Sequence, residues 1–326
     1  MKKTIALMAL LAGCTGDDAD TPPPAQSEPQ IRVLFTLNVH DWAFPDRSLD
    51  GIRYTMGVHE SQGIPLDVFV TDPAFRIIAA GAPDVVAKLK GGGLFAGSYH
   101  FRPPVPYAEG SSDFIGLEEM GESEAYAAVL AYEEAALDLE TGLPVGGQAG
   151  GCQFVKDTLG YAPVMVGTIA RRSEVVSAVL RDKGVSFAVV HGRSVALGEQ
   201  RNGLYLRPED VEIRLLEYVD LYLAGGITGA RIVEDALAGR PGPLFLNIKL
   251  HENDYYARPA PFWAVYADDH FPPWDTDLAT QVELKPAEYT EAMKQLYAEV
   301  VAYVAGSPQR FACINAFQLK EMVGAE

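Results

Sequence analysis

Four of the six histidines directly follow apolar runs, and their imidazoles are the side chains best suited to chemistry in this sequence. An imidazole moves protons near neutral pH or binds a metal ion through a ring nitrogen. The four are His40, His100, His191 and His251, after VLFTLNV, LFAGSY, VSFAVV and LFLNIKL. Such runs predict buried strands. Because sites of parallel sheets form at the carboxyl ends of the strands, we expect the four histidines to meet at one face.

A carboxylate beside the first histidine extends this candidate site. Asp41 follows His40 directly. Carboxylate oxygen and imidazole nitrogen suit zinc, iron, cobalt or nickel, which makes Asp41 and His100 candidate ligands of a divalent metal. A metal with an open position lowers the pKa of bound water, and His40 or His251 would then act as general base or acid. Taken singly, each histidine is also explained as a hydrogen-bonded residue at the end of a strand.

Helical and strand patterns alternate around these residues, and they predict the elements that position them. Strands are predicted over 66–70, 94–99, 163–169, 185–190, 244–250 and 311–315, and helices over 48–62, 82–90, 123–141, 173–183 and 286–305. Seven or eight alternations favour an α/β fold of one domain, a distorted (β/α) barrel of seven or eight parallel strands. An open doubly wound sheet is the alternative. Two long segments, 102–121 and 252–283, follow strand-end histidines and are expected to lie over the histidine face.

Several of these stretches resemble a known family. The segments TLNVHDW, GSYH and LNIKLHEND, and the closing RFACINAFQLKEM, resemble the polysaccharide deacetylase superfamily, also called NodB-like carbohydrate esterases. The resemblance spans residues 31–326. It implies a deacetylase-like (β/α) barrel that hydrolyses an N-acetyl or O-acetyl group on a polysaccharide or on peptidoglycan.

The family's functional residues carry over in part. Its first strand ends in two aspartates, a catalytic base and then a metal ligand; here Asp41 matches the ligand and His40 replaces the base. Its second motif has two metal-binding histidines four residues apart; His100 fills the first place, but Pro104 stands at the second. Leu250-His251 matches the late motif, whose histidine is the general acid. These departures leave open a rewired metal site that recruits His40 as ligand or base, with zinc, cobalt, nickel or iron, a relative with different hydrolytic chemistry, or a fold that has lost catalysis and only binds glycan.

Further residues are candidates for contacts with an extended carbohydrate. Flat aromatic faces stack on sugar rings, and the segment after His251 is rich in them, although long loops also need aromatic packing of their own. Arginines two residues beyond strand-end histidines are able to hydrogen-bond a hydroxyl-rich or anionic ligand, or to form salt bridges instead. Asp254 is placed to orient the His251 imidazole or to cap a turn. The predicted substrate-binding residues are Trp42, Arg102, His191, Arg193, Asp254 and Tyr255.

The first thirty residues predict export. Residues 1–13, with two lysines and an apolar core, are typical of a signal peptide. Leu11-Ala12-Gly13-Cys14 resembles the bacterial lipobox, which implies cleavage before Cys14 and a lipid on its thiol; a plain signal peptide is the alternative. Residues 14–30 predict a flexible tether, and 31–326 form the deacetylase-like domain. The expected location is the bacterial cell envelope, with the protein held there by its lipid anchor.

The charge excludes one class of partner. The chain has a formal charge of −18, and loss of Lys2 and Lys3 with the signal peptide makes it −20 (−18 − 2). Such a surface repels nucleic acid and anionic lipid, so the expected partner is a carbohydrate polymer or peptidoglycan, with membrane contact through the anchor alone. Cys152 and Cys313 lie in apolar surroundings that suit buried free thiols, although one disulfide is possible in an exported protein.

These observations favour an extracytoplasmic, metal-dependent hydrolase of carbohydrate. A rival of another class is a non-catalytic surface lipoprotein that binds glycan or a partner protein through its aromatic loops. The nearest rival enzyme is a glycoside hydrolase on a related barrel. That enzyme needs two carboxylates about 5 to 9.5 Å apart, for which Asp41, Glu252 and Asp254 are the candidates.

Overall fold

A computed structural model of the chain describes residues 31–108, 111–167, 171–240, 244–266 and 271–325. Its strands are β1 Ile31–Val39, β2 Leu66–Val70, β3 Phe95–Tyr99, β4 Ala135–Leu137, β5 Pro144–Ala149, β6 Met165–Val166, β7 Phe187–Ala188, β8 Gln200–Arg201, β9 Leu204–Leu206, β10 Val211–Arg214, β11 Leu244–His251 and β12 Phe311–Cys313. Its α-helices are α1 Pro45–Gln62, α2 Asp72–Gly81, α3 Pro83–Lys90, α4 Glu122–Glu134, α5 Gly151–Leu159, α6 Ser173–Asp182, α7 Val219–Leu223, α8 Gly229–Leu237, α9 Pro261–Tyr266, α10 Ala287–Ala305 and α11 Ala316–Met322.

A curled sheet of parallel strands organises the fold. Its order is β10-β11-β1-β2-β3-β6-β7-β9, every neighbouring pair being parallel, with β8 antiparallel at the edge and β12 paired to the start of β1. The sheet forms a half-barrel, and the predicted distorted barrel of parallel strands in one α/β domain is confirmed.

The two faces of β1 explain how the half-barrel is filled. Val33, Phe35 and Leu37 are fully buried in the main core, where helices cover the outside of the sheet. On the other face Leu34 packs in a second cluster with Phe69 and Phe187, inside the curl. Since strand side chains alternate between faces, the positions beyond Leu34 on the inner face are Thr36, Asn38 and then His40. The inner face thus passes from apolar to polar toward the carboxyl end of the strand.

Strand register brings the polar ends together. Asn38 lies opposite His251 of β11 and opposite Phe69 of β2. Val70 lies opposite Tyr99, the last residue of β3, and Tyr99 lies opposite Val166 of β6. These pairings place His40, His100 and His251 at the same edge of the sheet.

The outer layer depends on the amphipathic helices α1 and α10. The predicted helix over 286–305 is confirmed as α10, and its apolar face is buried, including Met293, Leu296 and Val300. His59 of α1 is also buried and joins the two helices: its Nε2 bonds the Tyr297 hydroxyl at 2.5 Å, and its Nδ1 bonds the Ile64 carbonyl at 2.9 Å. His59 is therefore a core histidine, distant from the strand-end set.

One helix prediction is wrong in its second half. The helix expected over 123–141 ends at Glu134, and the chain continues as β4, which pairs antiparallel with β5. Asp138 stabilises the turn between them, because its Oδ1 accepts from the backbone nitrogens of Glu140 and Thr141 at 3.0 and 2.8 Å. The helical spacing of apolar residues extends past Glu134, which is why a longer helix was predicted. The turn residues Asp138, Thr141 and Gly142 end the regular structure there instead.

Three predicted strands are shorter than expected. The segment 163–169 forms a strand only at Met165–Val166, with 168–170 outside the described residues, and 185–190 only at Phe187–Ala188. The last strand ends at Cys313. Cys152 and Cys313 are both free thiols, as their apolar surroundings predicted. Among the described helices none is long and apolar enough to cross a membrane; the predicted signal peptide and tether, 1–30, lie outside this part of the chain.

Candidate functional site

All four strand-end histidines line one cavity of about 250 Å³ at the carboxyl edge of the sheet. The imidazole of His40 is central among three of them: its ring centroid lies 5.1 Å from that of His251 and 5.5 Å from that of His100. Phe262 packs edge-on against His40 at 4.6 Å. The structure thus brings together the residues that the strand ends were expected to bring together.

Three of these imidazoles are held through Nδ1. The Nδ1 of His100 bonds the Phe101 carbonyl at 2.7 Å, that of His191 bonds Glu212 Oε2 at 3.1 Å, and that of His251 bonds Asp254 Oδ2 at 3.2 Å. An acceptor at Nδ1 fixes the tautomer and the ring plane and leaves Nε2 for a ligand. Asp254 Oδ2 also accepts from the His251 backbone nitrogen at 2.7 Å, so this carboxylate both orients the imidazole and caps the turn.

Burial keeps two of the rings neutral. It lowers the pKa of His40 well below its usual value, and the nearby charges of His251, His100 and Lys249 lower it further. Burial also lowers the pKa of His100 to about 4, although its bond to the Phe101 carbonyl opposes the shift. Near neutral pH both rings are uncharged, and each can accept a proton or a hydrogen bond.

The remaining cavity wall combines cations with aromatic rings. Lys249 and Arg207 line it, and burial is the main cause that lowers the pKa of Lys249. Phe101, Phe262, Trp263 and Tyr266 form the apolar part of the wall, and Trp263 is 44% exposed. Both long segments therefore contribute to the cavity, as their positions in the sequence predicted.

Sequence reasoning missed Lys249 and Arg207, although a signal for one of them was present. Two interrupted patterns run along neighbouring strands: Thr36, Asn38 and His40 on β1, and Asn247, Lys249 and His251 on β11. Alternate residues of a strand share a face. Five of these six line the cavity, all but Asn247. Polar residues at every second position of an otherwise apolar strand would have identified the face of the sheet that lines the cavity.

Asp41, the other predicted metal ligand, lies beside the cavity and outside its lining. Its Oδ2 accepts from the Tyr256 hydroxyl, and its Oδ1 from the Ala43 backbone nitrogen at 2.8 Å. Burial raises the pKa of Asp41, and the bond from Tyr256 opposes that shift. The carboxylate therefore has partners within the protein, and we see no group of three ligands built from it and His100 in the described ranges.

Glu252 is buried and hydrogen-bonds the backbone just after the end of β1. Its Oε1 accepts from the backbone nitrogens of His40 and Asp41, at 2.8 and 2.5 Å, and lies 3.6 Å from His40 Nδ1. Burial and the negative charge of Asp41 raise the pKa of Glu252 well above its ordinary range. None of Asp41, Glu252 and Asp254 lines the cavity, which does not favour the pair of carboxylates that a glycoside hydrolase requires.

The predicted substrate-binding residues are dispersed. The Arg102 guanidinium is buried against Asp72, with Nη1 2.5 Å from Oδ1, and also bonds the Tyr132 and Ala135 carbonyls. Arg193 pairs with Glu199 at 2.7 Å in a neighbouring depression. Tyr255 is core, with its hydroxyl 2.8 Å from Thr55 Oγ1. Trp42 packs against the cluster around Phe262. Of the six, His191 and part of Arg102 line the cavity.

One group of possible metal ligands converges in the part of the chain that the structure describes. His191, Glu209 and Glu212 each offer an atom within 4.8 Å of the others. Cations already compensate these carboxylates: Arg207 Nη2 lies 2.8 Å from Glu209 Oε2, and Arg214 Nε lies 2.6 Å from Glu212 Oε1. The donor types suit a divalent ion, and the two guanidiniums already neutralise part of the negative charge that would attract one.

Comparison with known proteins gives similarity of low degree. No family model and no curated protein matches the sequence. Among solved structures, the 4-alpha-glucanotransferase from Thermococcus litoralis is similar at 12% identity and a TM-score of 0.49, over 90% of this chain and 40% of that one. Puue allantoinase is similar at 12% identity and a TM-score of 0.47, over 93% of each chain. A probable polysaccharide deacetylase from Pseudomonas aeruginosa PAO1 is similar at 12% identity and a TM-score of 0.45, over 90% of each chain.

This chain therefore spans less than half of the glucanotransferase and nearly all of the other two proteins. Similarity at this level assigns the chain to no family. The function proposed below rests on the cavity's own residues.

Proposed function

We propose that the histidine-lined cavity is the active site of a hydrolase that removes an acyl group, such as acetyl, from carbohydrate. The observation that carries the proposal is the set of imidazoles around one cavity, three of them held through Nδ1. Fixed imidazoles with a free nitrogen are the groups that general acid–base hydrolysis requires. The half-exposed Trp263 indole at the same cavity supplies a surface on which a sugar ring can stack.

The residues have complementary roles in this reaction. His40, at the centre of the cavity, is the general base that takes a proton from water as the water attacks the acyl carbon. His251, with its ring plane fixed by Asp254, delivers a proton to the departing nitrogen or oxygen of the sugar.

Acetate release from N-acetylated chito-oligosaccharides and O-acetylated xylan tests the proposal. His251→Gln should lower kcat by about a hundredfold or more, the usual contribution of a general acid or base. Lys90→Met, on the exposed face of α3, is the control and should leave kcat unchanged. Thermal unfolding of each variant separates loss of chemistry from loss of fold. Equal kcat in His251→Gln and wild type would refute the assignment.

Dependence on a divalent metal, zinc before cobalt, nickel or iron, is a separate proposal that comes from the donor types of the strand-end residues and from the resemblance. It has Asp41 and His100 as ligands, and the partners of Asp41 do not favour it. Elemental analysis of the purified protein decides. Near-stoichiometric metal that is lost in both Asp41→Ala and His100→Ala would establish the site. If metal is lost instead when Glu209 and Glu212 are replaced, the metal site lies in the cluster of His191, Glu209 and Glu212.

A binding protein without catalysis is the second candidate function, and the exposed indole of Trp263 favours it. It predicts that glycan binds with the same affinity in His251→Gln as in wild type, with no turnover in either protein. Trp263→Ala should then weaken binding at least tenfold, since stacking on a sugar removes apolar surface from water.

Export and lipid attachment at Cys14 complete the proposal. Metabolic labelling with a radioactive fatty acid should mark the wild-type protein and leave Cys14→Ser unlabelled. Label on the Cys14→Ser protein would refute the lipid site. Release of that variant into a soluble envelope fraction would agree with a plain tether after residue 14.

A further inference from the structure

The wall of the cavity predicts the charge of its substrate. Resting on the function proposed above, we propose that the substrate carries an anionic group on its sugar, a carboxylate, sulfate or phosphate, which binds Lys249 and Arg207. The acyl group to be removed and this anionic group would occupy one cavity together.

Lys249 is the first observation. Its side chain lines the cavity from the inner face of β11, and no carboxylate lies within salt-bridge distance of its ammonium in the described residues. Lys249 is half-buried, and the charges of Glu212 and Asp254 act on it without direct contact. Its ammonium therefore has donors free for an anionic ligand in the cavity.

Arg207 is the second observation. The residue is buried, its Nη2 pairs with Glu209 at 2.8 Å, and its Nη1 donates to Thr36 Oγ1 at 3.2 Å. Its Nε is buried with no hydrogen-bond partner. The guanidinium lines the cavity together with Thr36 and Lys249, and its Nε donor has no acceptor in the described part of the chain.

The absence of carboxylates from this wall is the third observation. The chain has 44 acidic and 26 basic residues, yet the described lining residues include two arginines, a lysine and four histidines and no aspartate or glutamate. Glu209 and Glu212 stand behind the wall, where they pair with Arg207, Arg214 and His191. A cavity lined by lysine and arginine and by no carboxylate, in so acidic a protein, favours an anionic ligand.

The position of Lys249 fixes where the anionic group would lie. Lys249 precedes His251 by two residues on the same strand face, so its Cα lies about 7 Å deeper along β11. The sugar would enter with its anionic group inward, its ring beside Phe262 and Trp263, and its acyl group near His40 and His251. A neutral sugar of the same shape leaves the ammonium unpaired and binds more weakly.

Binding of a matched monosaccharide series tests this inference without any need for turnover. Glucose, glucuronic acid, glucose 6-sulfate and glucose 6-phosphate are titrated into wild type, Lys249→Met and Lys90→Met, with affinity measured by calorimetry or by NMR line broadening. Wild type and Lys90→Met should bind at least one of the three anions tenfold or more tightly than glucose. Lys249→Met should lose that preference and retain its weak affinity for glucose. The three anions distinguish carboxylate, sulfate and phosphate.

Two outcomes overturn the inference: equal affinity of the wild type for glucose and all three anions, or an anion preference that survives in Lys249→Met. Thermal unfolding confirms that Lys249→Met is folded. Its melting temperature should stay close to that of the wild type, because the half-buried Lys249 side chain forms no salt bridge in the described residues. A Lys249-dependent preference in a protein without hydrolase activity would leave this inference standing and refute the proposed hydrolysis. Hydrolysis of acetylated glycans by a wild-type protein that binds glucose and the three anions equally would do the reverse.

Discussion

At the scale of single residues, the cavity is defined by what holds each imidazole. His100 depends on a backbone carbonyl, whereas His191 and His251 depend on carboxylates. A carbonyl fixes the ring and adds no charge, but a carboxylate also stabilises the ring when it carries a proton. His251, 29% exposed and oriented by Asp254, is thus placed to contact a substrate in the cavity, whereas burial lowers the pKa of His40 and keeps that ring uncharged.

Replacing the carboxylate that holds His251 should therefore change catalysis more than binding. We expect Asp254→Asn to lower kcat by about tenfold to a hundredfold, as loss of an orienting partner typically does, with little effect on KM. The pH dependence of kcat should also change, because the amide cannot stabilise the protonated ring. Steady-state acetate release across pH 5 to 9 measures both effects.

The matched control is Asp235→Asn, an exposed carboxylate paired with Arg231 on α8. It should leave kcat and its pH dependence unchanged. If Asp254→Asn retained wild-type kcat at every pH, the carboxylate would serve only to cap the turn after β11.

A second residue-scale prediction concerns Asp67, which lies buried on β2 behind the site. Its Oδ1 accepts from the Ala316 backbone nitrogen at 2.8 Å, and burial raises its pKa from 3.8 to about 7. The folded state therefore holds a proton on Asp67 that the unfolded chain has lost, and stability falls as pH rises from about 4 through 7. At pH 8 this difference amounts to about 4 kcal/mol.

Asp67→Asn keeps an oxygen for the Ala316 nitrogen and cannot ionise. The free energy of unfolding of the variant, relative to that of the wild type, should therefore increase by roughly 2 to 3 kcal/mol between pH 5 and pH 8. Urea unfolding at the two pH values measures the change, with Asp235→Asn again as the control. A difference between Asp67→Asn and wild type that does not vary with pH would show that Asp67 is already ionised in the folded protein at pH 5.

At the scale of elements, the hairpin of β4 and β5 depends on close backbone approach. A Cβ added to Gly150 would lie 2.1 Å from the Ala135 carbonyl oxygen, whereas one added to Gly146, in β5, would meet nothing within 4 Å. We expect Gly150→Ala to destabilise the protein by about 3 kcal/mol, because a backbone atom has to move. Gly146→Ala should change the free energy of unfolding by less than about 0.5 kcal/mol, as surface substitutions usually do.

Urea unfolding of the two alanine variants compares the same chemical change in two environments. A large loss in both variants would point to the flexibility of the glycines rather than to the contact with Ala135. Equal stability of both variants and wild type would place β4 and α5 farther apart than described.

The elements also show how far the sequence predicts this fold. β2 and α3 were predicted to within one residue, because alternation, a proline at the first turn and a following glycine all agreed. The second half of the helix predicted over 123–141 failed where apolar spacing and turn chemistry disagreed. Local patterns are reliable where several of them coincide.

The site was predictable to the extent that it lies at strand ends. Convergence of the four histidines follows from parallel register, which the alternation of helices and strands already implied. The partners of Asp41 and Arg102 were not predictable, because Tyr256 and Asp72 reach them across the fold and no local spacing encodes those contacts. An ionisable side chain beside a site can have all its partners within the protein and take no part in binding a ligand.

At the scale of the whole molecule, the cation-rich cavity is set in a strongly acidic protein. The formal charge of −18 creates a negative field around the chain, while Lys249 and Arg207 act only over the short distance inside the cavity. Long-range repulsion affects how often an anionic sugar arrives, and short-range attraction affects how long it stays. Salt screens both the repulsion and the attraction. Its effect on the repulsion is measured by the association rate, and its effect on the attraction by the dissociation rate.

The association rate of an anionic sugar should therefore rise with salt. Between 10 mM and 150 mM the screening length falls from about 30 to about 8 Å, which removes most of the repulsion outside the cavity, so we expect the association rate of trigalacturonic acid to increase several-fold. Its dissociation rate should increase too, because the contacts to Lys249 and Arg207 weaken. Stopped-flow fluorescence of Trp263, which is 44% exposed at the cavity, measures both rates. Neutral chitotriose is the control, and neither of its rates should change with salt. An association rate of trigalacturonic acid that falls with salt would contradict the prediction, because it would mean that the positive potential of the cavity extends into solvent and attracts the sugar.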